Sequence, residues 1–351
     1  MNHCLDDETF VKALKTDTPL ETLVSDLESL IPQRMAEAKV PGLSIALVRD
    51  ARLLWCQGFG VKSTVSRKPV TADTVFSAQS LGKPILAYAA LRLCEKGLID
   101  LDTPLTDYLP EPYLPNEPRL KLVTLRYVLS HTTGFPNWRP EGKPLKILFT
   151  PGERFSYSGE GYVYLQKIVE HLVGQPLSEY MKVSLLEPFD MHRSSYVWTD
   201  DYEEEAEGHG RAGKPVGKPK WTEVNAASSL YSTAADYAKF VAEILHPSKR
   251  DSFRLSEEMV NEMLKPQINI YFSISWGLGW GIQHSSSQDS FWQWGQGFTE
   301  GSFQAFAVGF KKEKLAAIVM TNSSNGLGIC EEILLHAIGG EHPAFSDYLR
   351  I

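Results

Sequence analysis

Apolar residues near the start of the chain recur at helical spacing. Leu20, Leu23, Leu27, Leu30, Ile31 and Met35 fall on one face of a segment at 20–39, which predicts an amphipathic helix. Pro32 lies inside it and is a candidate kink, because proline lacks the N–H that a helix interior uses. Pro41-Gly42 ends the segment. Two strand-like runs follow, GLSIALVRD at 42–50 and RLLWCQGFGV at 52–61, joined tightly at Asp50-Ala51. After a polar turn region at 62–73, FSAQSLGK opens a helix expected to reach about residue 96, where Lys96-Gly97 supplies a C-cap.

Helical patterns dominate from 100 to about 265, at 122–130, 161–172, 177–185 and 234–245, with Ser232 or Thr233 capping the last. The stretch 199–220 passes from an acidic run to a Lys/Gly/Pro run and reads as a solvated loop, with a substrate-recognition loop as the alternative. After 268 the chain turns aromatic- and Gly-rich. Strands are predicted at 302–310 and 314–323 across a hairpin link at Lys311-Lys312-Glu313, then a helix at 328–338. Strands at both ends with helices between predict an α+β fold: an antiparallel sheet from the N- and C-terminal segments, flanked by helices, with an all-helical region inserted. The expected divisions are an N-terminal arm at 1–20, a sheet domain at 21–75 plus 266–351, and a mainly helical region at 76–265.

Composition narrows the function. The 351 residues are 43% hydrophobic and 22% charged, ordinary for a globular protein. A formal net charge of −8 argues against a nucleic-acid binder. Cys4, Cys56, Cys94 and Cys330 form no C-x-x-C pair and no zinc-like spacing with histidine. Cys56 and Cys94 read as small core residues. The acidic start MNHCLDDETF is unlike a secretory leader, and no window is long and apolar enough to span a membrane. The expectation is a soluble protein acting on a small molecule, cytoplasmic, or secreted or periplasmic if a leader was removed, with no nucleic-acid or membrane partner and no assigned oligomeric state.

The chain contains one Ser-x-x-Lys, Ser80-Leu81-Gly82-Lys83. On a helix, positions i and i+3 share a face, so the amine reaches the hydroxyl. Serine becomes a good nucleophile only when a neighbour takes its proton. Lysine does that when burial lowers its pKa, and Phe76, Ala78, Leu81, Pro84, Ile85 and Leu86 supply apolar surroundings. About one chance Ser-x-x-Lys match is expected in a chain this long, so the motif needs its context.

That context resembles the β-lactamase and penicillin-binding-protein-like serine hydrolases, including class C β-lactamases, D-amino-acid peptidases and the related carboxylesterases. The resemblance runs from about 22 to 340. It rests on FSAQSLGK, LIDLDTPLTDYLP at 98–110, LRYVLSHTTGFP at 125–136 and PGERFSYSGEGYVYLQKIVE at 151–170. YSTAADYAKF at 231–240, WGLGWG at 276–281 and IVMTNSSNG at 318–326 extend it. It implies a β-lactamase/transpeptidase-like fold with Ser80 as nucleophile and Lys83 and Tyr157 as proton carriers. Tyr157 stands in the place of the family's Tyr-x-Asn tyrosine, where a nearby ammonium would ease loss of its proton. His131, in His-Thr-Thr-Gly, is implied to be structural.

Two departures stand out. Gly159 replaces an asparagine that contacts substrate in β-lactamases. The usual Lys-Thr-Gly or His-x-Gly strand motif gives way near Gln293-Trp294-Gly295-Gln296, in a register open by about a residue. Trp294-Gly295 is similar to a Trp-Gly motif of family carboxylesterases, and by that likeness the backbone N–H groups of Ser80 and Gln296 would form the oxyanion hole. Substrate-contacting positions are then Gly159, Gln293, Trp294 and Gly295. Loss of a fixed cation favours uncharged ester or amide substrates. Trp276, Trp280, Trp292 and Trp294 suit either an apolar pocket wall or core packing. The expected activity is acyl transfer to water without metal or cofactor, by a carboxylesterase first and a β-lactamase or D-amino-acid peptidase next. The competing expectation is a non-catalytic penicillin-binding or sensor-like relative that kept the fold.

Overall fold

A computed structural model describes residues 13–247, 251–285 and 288–350. Cys4 and most of the N-terminal arm, 1–12, lie outside the described residues. The chain runs α1 (Leu20–Ala38), β1 (Gly42–Arg49), β2 (Arg52–Gly60), β3 (Phe76–Gln79), α2 (Gly82–Glu95), α3 (Leu125–Leu129), α4 (Gly159–Val173) and α5 (Leu177–Met181). Next come β4 (Gly208–His209), β5 (Pro215–Gly217), β6 (Leu230–Ser232), α6 (Ala234–Leu245) and α7 (Glu257–Leu264). The last elements are β7 (Ile268–Asn269), β8 (Ile274–Trp276), β9 (Gly281–His284), β10 (Asp289–Gly297), β11 (Phe303–Phe310), β12 (Leu315–Thr321) and α8 (Leu327–Ala337).

Eight strands form one antiparallel sheet in the order β2-β1-β12-β11-β10-β9-β8-β7. N- and C-terminal segments meet where β1 pairs with β12, Ile45 opposite Val319. The fold is therefore α+β, as the distribution of strand and helix patterns predicts. Side-chain alternation divides the core. Leu43, Ile45, Leu47, Phe306, Val308 and Val319 pack beneath Leu27, Ile31 and Met35 of α1 and Ile333 and Leu334 of α8. On the opposite face Ala46, Ala305, Ala307 and Ala316 leave room for the helical region, including α2, α4 and α6.

Local chemistry accounts for most boundaries. Thr233 caps α6 by accepting the Asp236 N–H at 3.0 Å, a contact worth about 1 kcal/mol. Asp50 and Ala51 take φ of 53° and 55°, the left-handed geometry of a tight hairpin. Pro32 does not divide α1, because it sits on the exposed face where no packing is lost. The helix expected at 122–130 shortens to Leu125–Leu129 behind a Thr124 cap, and the one at 177–185 continues past Met181 as a π-helical turn to Leu186.

Two expectations are corrected. Phe76–Gln79 is a strand rather than the first turn of a helix, since it pairs with β6. The 199–220 segment is not simply solvated: it forms the β4–β5 ribbon and buries Glu205 and His209. Glu205 pairs with Lys62 and Arg193, and His209 Nε2 accepts from the Thr64 N–H at 3.1 Å. Among the described residues no helix is long and apolar enough to cross a membrane.

Candidate active site

Strand β3 lies against β10 and ends in a sharp turn. Gln79 has φ of 53°, in the left-handed region that few non-glycine residues adopt. This turn lifts Ser80 out of the strand and places it just before α2. The first turn of α2 is tied down from two sides: Tyr237 Oη donates to Leu81 O at 3.0 Å, and Tyr196 Oη donates to Gly82 O at 2.7 Å.

Lys83 projects from that turn into the interior and is 1% exposed. Its Nζ lies 2.9 Å from Ser80 Oγ and donates to Ala227 O at 2.6 Å. Burial pulls the ammonium down to about 7, a preference for the neutral amine on the order of 5 kcal/mol over that in water. A neutral Lys83 that donates an N–H to Ala227 O can turn its lone pair toward Ser80. The Ala227 carbonyl is held by its neighbours, for Asn225 Oδ1 accepts the Ala227 N–H and Gln166 Oε1 accepts the Ala226 N–H, both at 3.0 Å.

Tyr157 stands beside both groups, with Lys83 Nζ 4.9 Å from its ring centroid and its hydroxyl close to Ser80. Its pKa does not fall. Burial pushes the phenol up, and the hydrogen bonds to Ser80 and Gln293 offset this only in part. The expected easing of proton loss at Tyr157 is thus corrected: its desolvation outweighs any help from an amine that is itself driven neutral. Tyr157 packs against His131 at 4.2 Å and Trp294 at 4.7 Å between ring centroids. His131 does not reach Ser80; its Nδ1 accepts the Ser158 N–H at 3.0 Å, and burial holds the ring neutral.

In the third segment, β10 pairs with β11 so that Gln293 lies opposite Ala307 and Gln296 opposite Gln304. Gln293 is fully buried, and its Nε2 donates to Ser80 O at 3.2 Å and, more weakly, to Tyr157 Oη at 3.5 Å. A Cβ on Gly295 would overlap the Ala78 carbonyl oxygen, so glycine lets β10 approach the strand that carries Ser80. Trp294 and Gln296 line the cleft. Gly159 does not; it sits buried beneath Trp138. Of the four tryptophans singled out in the sequence, Trp276, Trp280 and Trp292 are core, and only Trp294 reaches the cleft.

The cleft above Ser80 has a volume of about 460 Å³. Trp138, Tyr157, Trp221, Trp294 and Phe298 supply apolar wall, while Gln79, Asn137, Ser228, Gln296 and Thr299 supply neutral polar groups. No charged side chain lines it among the described residues. Asn137, Trp138, Trp221 and the Ala227 carbonyl escaped the sequence reading. A backbone acceptor on alanine leaves no trace in a sequence, and the others lie in segments without periodicity. No group of three or more His, Cys, Asp or Glu among the described residues could hold a metal.

Known proteins agree with this architecture. Esterase EstB of Burkholderia gladioli is 28% identical over 208 residues, covering 50% of this chain and 52% of that protein. The octameric penicillin-binding protein homologue from Pyrococcus abyssi superposes with a TM-score of 0.75 at 28% identity, over 86% of this chain and 74% of that one. The β-lactamase/D-alanine carboxypeptidase from Pseudomonas syringae gives 0.78 at 19% identity, over 90% and 99%, a likeness of fold. The chain spans about half the length of the curated relatives it matches. The Beta-lactamase family model runs from α1 into α8, over residues 27–331, and the chain belongs to that family.

Proposed function

We propose that the protein is a serine hydrolase that forms an acyl-enzyme on Ser80, with uncharged carboxylic esters as its substrates. The observation that carries this reading is the buried Lys83 amine 2.9 Å from Ser80 Oγ. Neutral Lys83 takes the Ser80 proton as Oγ bonds to the substrate carbonyl carbon, and the carbonyl electron pair moves onto oxygen. The backbone N–H groups of Ser80 and Gln296 are the proposed oxyanion donors. Collapse of the tetrahedral intermediate breaks the bond to the leaving alcohol, which receives the proton from Lys83 through the protonated Tyr157 phenol. Water then attacks the acyl-enzyme, passes its proton back along the same groups, and frees Ser80.

Substrate class follows from the walls. A β-lactam or peptide carboxylate would enter a cleft that offers it no cation, since no charged side chain lines it among the described residues and the buried group beside Ser80 and Tyr157 is the neutral Gln293. Aromatic walls with neutral polar groups suit esters, and esterase is the activity named for the Burkholderia relative. The test compares wild type with Ser80→Ala on short-chain p-nitrophenyl esters and on nitrocefin, with mass spectrometry for an acyl adduct. Ester turnover that disappears with Ser80, alongside weak nitrocefin hydrolysis, is expected. Rapid nitrocefin hydrolysis would overturn the ester assignment, and no adduct with any acyl donor would favour a binding role without catalysis.

A further inference from the structure

Gly159 opens α4 beside Tyr157, and the space a side chain would occupy there is already filled. A Cβ on Gly159 would stand 2.7 Å from the Trp138 ring and 3.0 Å from the Asn137 carbonyl oxygen. The segment filling this space is clamped to the start of α4. Asn137 O accepts the N–H groups of Gly159 and Glu160 at 3.0 Å, and Asn137 Oδ1 also accepts from Gly159 at 3.0 Å. Arg139 closes the clasp: its backbone N–H and Nε donate to Glu160 Oε1 at 2.9 Å, and its Nη2 donates to Oε2 at 2.6 Å. The Glu160 side chain is 6% exposed, so water competes little for this bidentate pair.

This clamp fixes which way the Asn137 amide points. Only an oxygen can accept from the Gly159 N–H, so Oδ1 faces the helix and Nδ2 faces away. Nδ2 has no partner among the described residues, and Asn137 is exposed in the wall of the Ser80 cleft. Trp138 lines the same wall and stays 44% exposed. The helix contacts therefore use the oxygens of Asn137 and leave its Nδ2 donor unused, on a residue that lines the cleft together with the exposed Trp138 indole.

We propose that Asn137 and Trp138 form a substrate-recognition finger. Asn137 Nδ2 donates a hydrogen bond to a neutral oxygen of the substrate, an amide or ester carbonyl lying beyond the scissile one, and the Trp138 indole covers the apolar group next to it. The finger rests on the serine-hydrolase reading of the same cleft and adds its substrate class: esters whose acyl chain carries a second carbonyl oxygen and a flat or bulky apolar group. Gly159 belongs to this arrangement as the residue whose missing side chain gives the finger its seat.

The test uses three p-nitrophenyl esters, of N-acetylglycine, butyric acid and phenylacetic acid. Asn137→Asp keeps an oxygen for Gly159 but replaces the donor with an acceptor. The ratio of kcat/KM for the N-acetylglycine ester to that for the butyrate is expected to fall about tenfold in this variant, mostly through KM. In Trp138→Ala the phenylacetate-to-butyrate ratio is expected to fall by about the same factor. Thermal melting and fluorophosphonate labelling of Ser80 are followed in every preparation. A folded, labelled Asn137→Asp protein with the wild-type ratio would overturn the role of Asn137 and leave the hydrolase reading standing. If Asn137→Asp fails to fold, the Trp138→Ala ratio decides, and no change there overturns the finger. Wild type that neither labels nor turns over any ester would overturn the hydrolase reading and the finger with it.

Discussion

The floor of the cleft and its rim are made of different material. At the floor, where β3 turns into α2, Leu81, Gly82, Lys83 and Ile85 are buried, and both Lys83 and Tyr157 are desolvated. At the rim, Asn137, Trp138, Gln296 and Thr299 are exposed and uncharged. In the proposed mechanism reactivity depends on the floor, because the Lys83 lone pair exists near neutral pH only while water is kept away. Selectivity is proposed to depend on the rim, where groups can change without disturbing that balance. Gln293 bridges the two, touching Ser80 and Tyr157 from β10 without bringing a charge.

Substitutions can break this division, beginning with the floor. Ser80→Ala is expected to lower ester turnover by about three orders of magnitude or more, read as kcat with p-nitrophenyl butyrate. Lys83→Met keeps the apolar volume and removes the proposed base; a loss of about 100- to 10,000-fold is expected. With wild type, kcat/KM should fall as pH drops through about 7, because that is where Lys83 gains its proton and loses its lone pair. That acidic limb should vanish in Lys83→Met.

Smaller effects belong to the bridge. In Gly295→Ala the new Cβ meets the Ala78 carbonyl and pushes β10 away from Ser80. A displacement near 1 Å costs about 100-fold in kcat/KM. Gln293→Arg places beside Tyr157 a cation that burial does not neutralise, and it should lower the phenol pKa. It should also raise the rate of nitrocefin acylation about tenfold while leaving Ser80 the labelled residue. If nitrocefin acylation does not respond, a missing cation is not what disfavours carboxylate substrates.

Much of the floor was legible in the sequence because its parts are close along the chain. Ser80 and Lys83 are one helical turn apart, and the apolar residues that bury Lys83 sit in the same twenty positions. The strand character of Phe76–Gln79 was hidden, since four residues before a helix carry no periodicity of their own; pairing with Leu230–Ser232 decides it. The rim was harder. Asn137 and Trp138 gain meaning only from the start of α4 more than twenty residues later, and the Ala227 carbonyl has no side-chain signature. Charge misled at 199–220, where Glu205 and His209 find partners that composition cannot reveal.

The most direct measurement is the rate at which a fluorophosphonate labels Ser80 between pH 5 and 9, in wild type and Lys83→Met, with the adduct located by mass spectrometry. A buried lysine base predicts a single adduct on Ser80 whose rate falls about tenfold per pH unit below about 7, and a slow rate without that limb in Lys83→Met. An adduct on another residue, or a wild-type rate flat across that range, would contradict it.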